Sequence, residues 1–85
     1  MVRPPLTPQQ IEAGRRLGAM LRAARGTRTL DDVAACAAIS PETLRKIETG
    51  RLPTPAFATV VALCVALDVD VRAAAETCGA VPLAG

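Results

Sequence analysis

Residues 40–50 read SPETLRKIETG, a run in which two acids, hydroxyls and two cations stand close together. Leu44 and Ile47 are three residues apart, the spacing of a buried pair on a short helix. That pairing leaves Pro41, Glu42 and Arg45 roughly opposite the buried stripe, with Thr43 and Lys46 toward its edges. Side chains of this kind, on one outward face, can recognise a polar surface by charge and hydrogen bonding. They do not make a catalytic set. The chain has no His, no Gly-rich phosphate loop, and no cysteine with a base beside it in sequence. Asp31-Asp32 is explained by charge at a helix start. The chain is therefore expected not to be an enzyme.

Cys36, Cys64 and Cys78 are widely spaced and odd in number, and no C-x₂-C pattern occurs. Neither a metal site nor a cofactor follows from them. Each lies in an apolar helical context, so all three are expected to be buried small hydrophobes. Reduced thiols fit the cytoplasm. The opening residues MVRPPLTPQQ lack the apolar region of a signal peptide, and the longest apolar run, Val60 to Leu67, is too short to span a bilayer. The expectation is a soluble cytoplasmic protein with no membrane partner. Arg15, Arg16, Arg22, Arg25 and Arg28 fall within residues 15–28 without one acid, whereas 68–76 holds Asp68, Asp70 and Glu76 against Arg72. One basic end suits a polyanion; the bland alternative is a solvated helix face.

The elements that must position these groups are helical. Of 85 residues 51% are hydrophobic, yet only 1% are aromatic, and Ala dominates. Small side chains favour close helix packing, so the fold class is all-α, in a single domain. Residues 1–6 form a proline-containing arm, read as mobile; residues 7–79 form the helical domain; residues 80–85 are a short apolar tail. Thr7-Pro8-Gln9-Gln10 is a helix start with a capping box. Ile11, Gly14, Leu17, Gly18 and Leu21 then share one face, and Gly26 ends the first helix. Thr29 caps a second, with Leu30, Val33, Ala34 and Ala37 as its apolar stripe. Ser40 caps a third, from Pro41 to about Thr49, stopped by Gly50. Thr54-Pro55 repeats the cap-plus-proline start, ahead of a stripe of Phe57, Val60, Val61, Cys64 and Leu67. Asp70 caps a fifth helix through Val71, Ala74 and Cys78.

Two short helices joined by three or four residues, the second polar outside, make a helix-turn-helix. The run TLDDVAACAAISPETLRKIETGRLPTPAF resembles the DNA-binding domain of lambda-repressor and Cro-like (XRE) transcriptional regulators. The likeness rests on Thr29, Val33-Ala34, Ile39-Ser40, Leu44, Ile47, Glu48-x-Gly50, Pro55 and Phe57, and it spans roughly residues 14–76. It implies a compact five-helix domain whose third helix enters the major groove of double-stranded DNA. By that resemblance Glu42, Thr43 and Lys46 are candidates to read base edges, and Pro41 could touch a thymine methyl. Arg28, Thr29, Ser40, Arg45 and Arg51 are the candidate phosphate contacts. The family's brace between an acid here and an arginine of the first helix maps onto Glu48 and Arg25, with Arg22 second. Losing one partner would cost about 3–5 kcal/mol if that pair is buried, and about 0–1 kcal/mol if exposed.

Three departures from the family pattern matter. The Arg25–Thr29 turn is about two residues short, Leu30 stands where many relatives carry a phosphate-binding Gln, and Ala56 replaces a polar or basic residue. With the Glu42 charge they predict weak non-specific binding. The expected function is a sequence-specific transcriptional regulator. The alternative is a protein-interaction module, an antitoxin or adaptor of the same fold, with or without DNA binding. A homodimer is expected from the paired half-sites this fold reads, with Val81 and Leu83 of the tail as candidate contacts.

Overall fold

Helices in this chain start where a side-chain oxygen can take up an amide that the first turn leaves without a partner. The computed structural model describes residues 5–79 and contains five of them: α1 (Pro8–Arg25), α2 (Leu30–Cys36), α3 (Pro41–Glu48), α4 (Phe57–Leu67) and α5 (Val71–Thr77). Thr7 accepts from the Gln10 amide while Gln10 reaches back to the Thr7 amide, a complete capping box. Thr29 accepts from Asp32, Ser40 from Thr43, and Asp70 from Arg72. The fold is the expected compact all-α five-helix domain.

The fourth start differs from expectation. Helix α4 does not begin at Thr54-Pro55; its cap is Ala56, which offers no side-chain bond. Pro53 lodges against Gly14 of α1, and this contact draws the connecting segment across α1 in non-helical form before α4 can begin. The buried stripe shifts with it. Phe57, expected inside, is 76% exposed, whereas Leu63, absent from the expected stripe, is fully buried beside Cys64 and Leu67. Ile11 is exposed too. In both helices the first turn lies outside the core, whose burial starts at Gly14 in α1 and Leu63 in α4.

Leu21, Val33, Leu44, Ile47, Leu63 and Cys64 form the fully enclosed centre, drawn from α1 to α4. Ala74 of α5 closes one side. Cys36 falls off the Val33–Ala34–Ala37 stripe and is exposed, and Cys78 is half-buried. Only Cys64 is the buried small hydrophobe expected of all three.

Close approach of backbones sets where α3 sits. A methyl group added at Gly18 would collide with the carbonyl oxygen of Ile47, and one at Gly14 with the Pro53 backbone. These glycines are four residues apart on one face of α1, so the C-terminal end of α3 and the following loop press directly on that helix. Val81 and Leu83 lie outside the described residues.

Candidate nucleic-acid interface

Helix α2 ends in a turn that aims α3. The Ala38 amide donates to the Ala35 carbonyl and Ile39 to Ala34, the paired bonds of a Schellman stop, with Ala38 left-handed at φ 58°. Ser40 follows in extended conformation and opens α3. The other end of α3 is closed by bonds from Gly50 to Ile47 and from Leu52 to Lys46, with Gly50 at φ 81°. Between these stops Leu44 and Ile47 are fully buried against α1 and α2. Rotation of α3 about its own axis is thereby fixed.

The outward face carries Pro41, Glu42, Arg45 and Lys46, all exposed. Thr43 is half-buried, and its hydroxyl lies 2.8 Å from that of Ser40. Each hydroxyl is therefore already engaged in the helix cap. Thr49 is exposed, its hydroxyl donating to the Arg45 carbonyl at 2.9 Å. Arg51, just beyond α3, is exposed as well. The base-reading candidates and Ser40, Arg45 and Arg51 thus share one short helix and its flanks.

Arg25 and Glu48 meet in a two-pronged ion pair. Arg25 Nε donates to Glu48 Oε2 at 2.7 Å and Nη2 to Oε1 at 3.1 Å. Only 17% of the Arg25 side chain and 5% of the Glu48 side chain remain exposed. Parallel bonds of this kind fix orientation as well as distance. The bond to Glu48 raises the Arg25 pKa further above its ordinary value and outweighs the opposing effect of desolvation. Arg25 Nη1 also donates to the Arg28 carbonyl at 2.6 Å, tying the short α1–α2 turn to the same brace.

The basic stretch of α1 reads differently in three dimensions. Arg28 Nη2 donates to the Ala66 carbonyl at 3.1 Å, so the guanidinium expected at a phosphate caps the C-terminal end of α4. Arg16 Nε makes the corresponding bond to Thr77 at the end of α5, at 2.9 Å. Cations there satisfy carbonyls without helical partners and complement the helix dipole. Arg15 lies 3.9 Å from Glu12 in an exposed pair. Much of a run that suggested a polyanion-binding face works as internal bracing. The sequence held no signal for the Arg16 and Arg28 bonds, because each joins residues far apart in the chain. The role of Gly14 and Gly18 was signalled by their four-residue spacing. Among the described residues no group of His, Cys, Asp or Glu could hold a metal ion, and no helix is long and apolar enough to cross a membrane.

A short helix held by its buried face, with a polar outer face, after a tight turn from another short helix defines a helix-turn-helix domain. A family model described as a helix-turn-helix domain matches residues 12–77, and the chain belongs to that family, of the XRE and Cro-like kind. The family is one of DNA-binding domains and is typically non-enzymatic. No curated protein matches the chain.

Proposed function

We propose that this protein is a sequence-specific transcriptional regulator that places α3 in the major groove of double-stranded DNA. The observation that carries the reading is the division of α3: Leu44 and Ile47 wholly buried, Pro41, Glu42, Arg45 and Lys46 all exposed. In this reading Lys46 donates to base acceptors, Glu42 accepts from a cytosine amino group, Thr43 reads a neighbouring edge, and Pro41 packs on a thymine methyl. Arg45 and Arg51 attract phosphates, and the capped starts at Thr29 and Ser40 receive them. Arg28 can join only through its remaining N–H groups or by releasing Ala66. Two copies on half-sites about one helical turn apart complete the complex, which acts in the cytoplasm.

Selection from a random duplex library, followed by titration at two salt concentrations, tests the reading. An enriched motif bound more tightly than bulk DNA is expected; no enrichment overturns it. A second reading, a protein-interaction module such as an antitoxin or adaptor, draws on the internal engagement of Arg16, Arg25 and Arg28. Without DNA binding it predicts no enriched motif in the same selection; with DNA binding it is compatible with the first reading.

A further inference from the structure

Arg16, Arg25 and Arg28 are each committed to a carbonyl or carboxylate of the fold. Arg15 is not. Its one polar partner among the described residues is Glu12, at 3.9 Å, and the two side chains remain 69% and 50% exposed. At that separation and exposure the pair contributes little.

The seat of Arg15 is set by the C-terminal end of α3. A methyl group added at Gly50 would stand 2.9 Å from Arg15 Cγ and 3.5 Å from its Cα, so the two segments meet at the backbone of α1. The missing side chain lets the Arg15 stem lie along the turn while most of the side chain stays in water. Gly50 stands between two exposed residues. Thr49, one turn after Arg45, continues the outward face of α3, and Arg51 leads out of it. Glu48, two residues before Gly50, is already taken up by Arg25. Helix α1 thus delivers a second arginine to the turn that carries Arg51.

We propose that Arg15 binds the DNA backbone beside Arg51, so that α1 joins α3 at the phosphates flanking the base pairs it reads. The inference rests on the regulator reading and adds a contact from outside the helix-turn-helix. Arginines from two separate elements, on either side of one glycine turn, fix how the end of α3 meets the strand. They position the helix and carry no sequence information. The Glu12 pair is exchanged for phosphate on binding: an exposed pair is cheap to break, and release of counterions from the duplex drives the exchange.

Titration of the full chain with duplex over a range of salt concentrations tests the proposal. Arg15→Gln should weaken binding several-fold, to the selected motif and to bulk duplex alike. The slope of log affinity against log salt should become shallower by about 0.9, the value of one phosphate contact. Arg15→Lys should restore most of that slope, and Glu12→Gln should tighten binding more in the chain with Arg15 than without it. Arg72→Gln removes a similarly exposed charge from α5 and is the control for net charge. An unchanged slope in Arg15→Gln, or an equal change in Arg72→Gln, overturns the proposal and leaves the regulator reading standing. Duplex binding without any enriched motif overturns the regulator reading instead, and the slope still decides Arg15. An unmodified chain that binds no duplex overturns both.

Discussion

Glu42 is an acid on the outward face of a helix proposed to enter a groove lined with phosphates. It costs affinity at every sequence and recovers part of that cost only where a cytosine amino group donates to it. Glu42→Ala should therefore strengthen binding to bulk DNA and relax preference at one base pair, as read by titration against a panel of single-substituted duplexes. Lys46→Ala should act in the opposite sense, weakening specific binding by about 1–3 kcal/mol; an unchanged curve removes Lys46 from the interface. Arg25 and Glu48 make a different residue-scale prediction. Their pair is mostly desolvated but lies at the edge of the core, between the exposed and buried limits. A double-mutant cycle with Arg25→Met and Glu48→Gln, measured by urea unfolding, should give a coupling of about 1–3 kcal/mol. A coupling near zero would make the pair incidental.

At the scale of elements, the joints around α3 are under opposite constraints. Ala38 is exposed and left-handed, a conformation that costs an L-residue roughly 1–2 kcal/mol. Ala38→Gly removes that cost and loses no packing, so it should stabilise the domain by about 1 kcal/mol. Gly18→Ala should do the reverse, because its methyl meets a backbone carbonyl rather than a flexible side chain. A loss of about 1–3 kcal/mol is expected for such overpacking, and both changes are read by thermal unfolding. These joints also mark what the sequence could convey. Caps at Thr7, Thr29, Ser40 and Asp70 were legible because each is a local bond within three residues. So was the Leu44–Ile47 pair, from helical periodicity. The start of α4 was not, since the contact between Pro53 and Gly14 joins segments about forty residues apart and overrides the local Thr-Pro signal. The exposure of Phe57 and Ile11 was missed for a related reason: periodicity gives the face of a helix but not how far along it the core extends. The outward face of α3 was legible, whereas the internal engagement of Arg28 needed the position of α4.

For the whole molecule, the distribution of thiols gives a measure of global stability. A domain of this size encloses a small core and is expected to be only modestly stable. Cys64 sits in that core with 1% of its surface exposed, whereas Cys36 lies on the surface. Alkylation should thus modify the exposed Cys36 in the folded chain. Cys64 should react slower by a factor of about 10³ or more, its rate following the unfolded fraction. Comparable rates at both would mean that the core opens without global unfolding. The same thiol couples stability to pH. Burial pushes the Cys64 pKa up, and the negative charge of Asp70 adds to the shift. In the unfolded chain the thiol ionises near its ordinary value of about 8.5, while in the folded chain it keeps its proton to higher pH. Above about 8.5 the unfolded state therefore binds fewer protons than the folded state, and stability falls as pH rises through that window, by up to about 1.4 kcal/mol per pH unit. Below that window this thiol adds no pH dependence. Cys64→Ala leaves a cavity and lowers stability at every pH, yet it should flatten the alkaline decline. Urea midpoints between pH 7 and pH 10 compare the two slopes directly, and equal slopes would show that Cys64 is not the titrating group.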